Sequence, residues 1–175
     1  MTSRLEHLES LLAEYNDRLA DYERQLLRYE RLEHPRIKLL IRDLREAMLP
    51  VEEERWQILA THSTQLDVSE AEAEVIVGEL VTQVNQLETT LTADQDADML
   101  RVLQALLAKL EAPEVSSPDK VKVAISSFPP FVKVFYQTDL ESLPKSFGGF
   151  CQQYFPTFTG GAEKLAGLLR AQPKK

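Results

Sequence analysis

Leu5, Leu8, Leu12, Tyr15, Leu19, Tyr22, Leu26 and Tyr29 follow one another at alternating intervals of three and four, separated mostly by polar residues. That spacing puts all eight on one face of a helix. Read as a heptad, Leu holds every a position and Leu, Tyr, Tyr and Tyr hold the d positions. Thr2 or Ser3 can cap the start, with Glu6 placed to close a capping box from Ser3. About 30 residues of helix make a rod of roughly 45 Å. His34-Pro35 should end it, because the residue before proline avoids the α region. Pro35 then suits the first turn of a second helix. Ile37, Ile41, Leu44, Met48, Val51 and Ile58 carry the stripe on, with Arg55 as its polar interruption. Pro50 predicts a kink or a break, and Glu52, Glu53 and Glu54 suit a restarted first turn. So short a turn makes the two helices an antiparallel hairpin over residues 4–60. Three tyrosines at d fit a hairpin edge or a looser helical core better than a two-stranded zipper; a homo-oligomer stays an open alternative.

Beyond a polar linker (His62 to Val68), Ser69 and Glu72 form a capping box, followed by Val75, Ile76, Leu80, Val84, Leu87 and Leu91 on one helical face. Asp94 is placed to cap a further helix with Met99, Leu100, Leu103, Leu106, Leu107 and Leu110 as its stripe. These two amphipathic helices could close a four-helix layer with the hairpin.

The period then changes. Val121, Val123 and Ile125 alternate with Lys120, Lys122 and Ala124, which reads as a half-buried strand, and FVKVFYQT (131–138) reads as a second strand after Pro129-Pro130. Phe147, Phe150, Cys151, Tyr154 and Phe155 return to helical spacing, ended by Pro156, and a closing helix follows Gly160-Gly161 from about Ala162 to Arg170. The expected fold is therefore mainly α: an antiparallel hairpin or coiled coil (1–65), an acidic helical pair (66–112), and a small α+β module with a β-hairpin (119–172).

Composition sharpens that division. Residues 1–65 carry 10 basic and 13 acidic side chains, residues 66–113 carry 2 and 10, and residues 114–175 carry 8 and 5. All seven Phe lie between Phe128 and Phe158. So much aromatic surface exceeds what a block of this size can bury alone. A partner site is therefore placed there, on Phe131, Phe135, Tyr136, Phe155 and Phe158, with Lys120, Lys122 and Lys133 blunting an open sheet edge and attracting an acidic partner. The competing reading is that these aromatics only fill the seam between sheet and helices.

The net charge of −8 disfavours sequence-independent nucleic-acid binding, which runs on Lys and Arg. No stretch approaches the ~20 apolar residues of a membrane span, and the charged N-terminus does not read as a secretory signal, so a cytoplasmic protein without membrane or nucleic-acid partners is expected. One Cys excludes a disulfide framework. Cys151 would need a base to act as nucleophile, and His7, His34 and His62 all belong to the helical part. No HxxxH or CxxC pair offers a metal site, and SFGGF (146–150) and FTGGAEK (158–164) lack the GK[ST] of a phosphate loop. No catalytic, cofactor or metal residue is assigned.

The stretch LLAEYNDRLADYERQLLRYERLEHPRIKLLIRDLREAMLPVEEERWQILA (11–60) resembles a helical-hairpin module of bacterial, especially cyanobacterial, signalling and conflict proteins. VKVAISSFPPFVKVFYQTDLESL and the later YFPTF resemble a short C-terminal effector-associated module of the same proteins. Such modules are joined to NACHT-type NTPases, TIR domains or caspase-like proteases and bring components together. The resemblance implies a non-enzymatic adaptor or scaffold in signal transduction or defence, working by protein binding with such effectors as partners. The alternative is a structural oligomerisation or regulatory subunit of a separately encoded enzyme.

Overall fold

A computed structural model describes residues 2–92, 94, 96–138 and 142–172, with residues 2 and 3 as backbone. Among these are seven α-helices and no strand: α1 (Thr2–Arg28), α2 (His34–Thr61), α3 (Glu70–Thr90), α4 (Ala97–Leu110), α5 (Ser117–Gln137), α6 (Phe147–Tyr154) and α7 (Pro156–Ala171).

The first two helices form the expected hairpin, reversing through a 3-10 turn at Arg31–Glu33. His34 Nε2 lies 3.1 Å from the Tyr29 carbonyl oxygen across that turn. Along α1 the stripe is buried at Leu5, Leu8, Leu12 and Leu19, part-buried at Tyr15, Tyr22 and Leu26, and exposed at Tyr29. The cap expected from Thr2 or Ser3 involves side chains outside the described residues. The break expected at Pro50 does not occur, and α2 runs unbroken from His34 to Thr61. Pro50 is on the exposed face, while Met48, Glu52, Arg55 and Trp56 hold the turns on either side of it in the core.

Ser69 caps α3 as its spacing predicts, its hydroxyl accepting from the Glu72 amide at 3.2 Å. The residue at the start of α4 is Asp96 rather than Asp94. Asp96 is buried and its carboxylate accepts from the Thr92 amide at 3.2 Å, fastening the preceding turn. Both helices pack chiefly on α5 and on each other, so α5 takes the place that a helical layer with the hairpin would have filled.

The largest correction concerns the β-hairpin. Residues Ser117–Gln137 are one helix, and the two expected strands are its first and last turns. Its buried side chains, Val121, Ala124, Ile125, Phe128, Phe131, Val132, Phe135 and Tyr136, recur at three and four, whereas Val123, which the strand reading needed buried, is half-exposed. Ser116 caps the start by accepting from the Asp119 amide at 3.4 Å, and Pro118 sits in the first turn where its missing donor costs nothing. Pro129 and Pro130 each remove an internal hydrogen bond, at roughly 3 kcal/mol apiece. Against that, burying Val121, Ile125, Phe128, Phe131, Val132 and Phe135 returns about 1.5–3 kcal/mol each as an upper bound. Burial wins, and the prolines are carried inside the helix.

α2 and α5 form the central pair; α1 lies on α2 and α7, α3 meets α7 as well as α5, and α6 rests on α5 and α7. All seven Phe are at most 2% exposed. They gather round Trp56, whose ring centroid is 4.7 Å from that of Phe128 and 6.1 Å from those of Phe147 and Phe158. One hydrophobic cluster takes in Leu5 of α1 and Leu169 of α7 and the helices between them. Two long-range polar contacts fix the C-terminal helices on this core. Arg45 of α2 is buried and donates to the carbonyls of Phe135 (3.0 Å), Thr138 (3.2 Å) and Lys145 (2.9 Å), placing a cation at the C-terminus of α5. Glu79 of α3 accepts the amides of Thr157 and Phe158 at 3.0 Å, supplying α7 with the cap its own sequence lacks. Because of that cap α7 starts at Pro156, with Gly160 and Gly161 inside it rather than before it.

Candidate functional site

The aromatic residues singled out from the sequence are core. Phe131, Phe135, Tyr136, Phe155 and Phe158 are all buried, and the Tyr136 hydroxyl accepts the Phe147 amide at 2.9 Å. The seam reading of these side chains is the one their burial matches, with helices on both sides of the seam. Lys120 and Lys122 are half-buried and Lys133 exposed on α5. They blunt no sheet edge, because a helix satisfies its own backbone groups.

Large apolar side chains do reach solvent at the hairpin tip. Leu27 is 87% exposed, Leu32 89% and Tyr29 51%. Arg28, Glu30, Arg31, Glu33 and Arg36 surround them in sequence, all exposed. The tip is thus an apolar point with charges of both signs about it.

A second feature lies where α1, α2, α6 and α7 converge, in a cavity of about 550 Å³. Its polar wall begins with Arg55, whose Nε donates to Glu9 at 3.3 Å and whose second nitrogen donates to Glu163 at 2.7 Å. Arg170 of α7 also pairs with Glu9. This chain of charges ties α1 to α2 and α7, and the Arg55 side chain within it is only 9% exposed. One turn before it, Glu52 is 4% exposed and lines the same cavity. No hydrogen bond to its carboxyl is formed by any described residue. Burial pushes its pKa up to about 7; the Arg55 charge opposes the rise and the Glu163 charge adds to it. Trp56 lines the cavity as well, and its Nε1–H is buried without an acceptor among the described residues.

Cys151 is the remaining reactive group on that wall. Burial, reinforced by the Glu52 charge and opposed by Arg55, pushes its thiol well above the ordinary range. A neutral buried thiol is a weak nucleophile. His62 Nδ1 lies 2.9 Å from the Ile58 carbonyl at the end of α2, and His34 reaches back across the hairpin turn to the Tyr29 carbonyl, so each ring is engaged locally. Among the described residues no group of three or more His, Cys, Asp and Glu could hold a metal ion, and no helix is long and apolar enough to cross a membrane.

Sequence reasoning missed Glu52 because three consecutive glutamates after Pro50 read as an exposed first turn. The available signal was register: Met48, Glu52, Arg55 and Leu59 step at four, three and four, which puts two charges on the core face. No family model, curated protein or solved structure matches this chain.

Proposed function

We propose that this protein is a non-enzymatic adaptor of a cytoplasmic signalling or defence system, and that it engages its protein partner through the hairpin tip. One observation carries the reading: Leu27 and Leu32 stand almost fully in solvent at the turn of the helical pair. Exposed leucines ringed by mixed charges match the apolar centre and polar rim of a protein contact. A membrane surface would favour a cationic rim instead, whereas Glu30 and Glu33 alternate here with Arg28, Arg31 and Arg36. Partners of the NACHT, TIR or caspase-like type are those the hairpin resemblance implies.

Affinity purification from the native cell, with wild type beside Leu27→Glu/Leu32→Glu, tests the reading. Recovery of a signalling effector by wild type and its loss in the variant, at unchanged helicity, is the expected result. Equal recovery by both removes the tip from the interaction. A single stoichiometric enzyme in place of effectors would make the chain a regulatory or structural subunit.

A further inference from the structure

The α1–α2–α6–α7 cavity is lined by Glu23, Glu52 and Glu163 against Arg55 and Lys145, an excess of one acid. Arg55 is matched by Glu9 and Glu163, and Arg170 by Glu9. Glu52, the buried carboxyl beside this network, lines the cavity and accepts no hydrogen bond from any described residue. A buried carboxylate without a partner is disfavoured, so in the absence of a cation this group relieves its charge by holding a proton. The volume of about 550 Å³ falls within the ordinary range of small-molecule sites. Leu19, Trp56, Pro144, Cys151 and Ala162 give the same cavity an apolar lining beside the carboxyl. The described carboxylates do not form a metal-ligating group, which turns the complement from an inorganic cation to an organic one.

We propose that this cavity is a binding site for a small organic cation, a primary amine on an apolar stem, with Glu52 receiving the ammonium and Trp56 packing against the stem. An ammonium donates to this carboxyl and adds a counter-charge to that of Arg55. An alkyl stem lies against Leu19 and Trp56, whose ring already carries the Arg55 guanidinium 5.6 Å from its centroid. The site shares no residue with the hairpin tip, so it stands or falls independently of the adaptor reading.

The charged groups around it are Arg55 and Glu163, which act on Glu52, Glu9 behind Arg55, and Lys145 and Glu23 on the same lining; Cys151 and Tyr136 feel the Glu52 charge in return. The free carboxyl titrates at about 7. A cationic ligand selects its ionised form, so affinity should rise about ten-fold from pH 6 to pH 8.

Trp56 is the only tryptophan and lines the site, so its fluorescence reports occupancy. Titration of the full chain with n-butylamine and with putrescine should give a saturable change at pH 8, about ten-fold weaker at pH 6. Glu52→Gln should abolish it, while Glu114→Gln, exposed on the turn between α4 and α5, should leave it in place. If Glu52→Gln does not fold, the Glu52 carboxyl is followed by NMR in wild type, where saturating n-butylamine should pull its titration downward. Absence of a saturable response to either amine, an equal response in Glu52→Gln, or a carboxyl titration unmoved by n-butylamine overturns the proposal.

Discussion

Replacing Glu52 by Gln isolates the energetic consequence of burying one acid in this core. Glutamine has nearly the same volume but no titrating proton, so the packing around Met48 and Trp56 is retained. In the wild-type protein, burial raises the carboxyl from its ordinary 4.5 to about 7. The folded state therefore holds this proton more tightly than the unfolded chain does. Its stabilising effect is fully present below about pH 4.5 and is lost as pH rises through 7. The full difference corresponds to about 3 kcal/mol, of which about 2 kcal/mol falls between pH 5.5 and 8.5. Urea unfolding at several pH values across that window, followed by Trp56 fluorescence, measures it. Wild type should lose about 2 kcal/mol relative to Glu52→Gln from the acid to the alkaline end, or roughly 1 M in urea midpoint. Taking the difference between the two proteins cancels the contribution of every group other than residue 52. Parallel pH profiles for the two proteins would refute the reasoning, because Glu52 would then be solvated in the folded state.

Arg45→Met keeps the length of the side chain but leaves the carbonyls of Phe135, Thr138 and Lys145 without their shared donor; equilibrium unfolding should show a loss of about 3 kcal/mol. Glu79→Ala removes the acceptor for the first amides of α7 and should cost about 1 kcal/mol, with part of it restored in Glu79→Gln, as thermal melts would show. Leu19 is 4% exposed and Leu27 is 87% exposed, so Leu19→Ala should destabilise by about 2–5 kcal/mol while Leu27→Ala stays within about 0.5 kcal/mol. Similar losses at both positions would mean that the tip is packed rather than free.

The hairpin, α3 and α4 were legible because each carries a helical apolar stripe, interrupted on α2 at Arg55, and α3 a capping residue as well. α5 was not, because Val121, Val123 and Ile125 satisfy period two while Val121, Ala124, Ile125 and Phe128 satisfy 3.6. Two adjacent prolines tipped the local balance toward strands. The opposing signal, Ser116 three residues before Asp119 with Pro118 between them, marked a helix start. Its weight is decided by burial against α2, a contact between residues about 80 positions apart that no local pattern encodes. The same non-locality misplaced the aromatic side chains. Taken alone, residues 119–172 hold more phenylalanine than they can bury, but α2 supplies Trp56, Met48 and Leu59 as the opposite wall. At the cavity, Arg55 was visible as a polar interruption of a stripe. Glu52 went unseen because its pairing with the core depends on α2 continuing through Pro50.

Site-specific photo-crosslinking in the native cell addresses the central functional claim most directly. A benzophenone side chain placed at Leu27 or Leu32 reports contacts of the hairpin tip, and one at Lys133, exposed on α5, reports the surface first suggested by the sequence. Crosslinks to a signalling effector from positions 27 and 32, with none from position 133, are the result predicted. Crosslinks from position 133 alone would contradict the account and return the partner to the C-terminal helices.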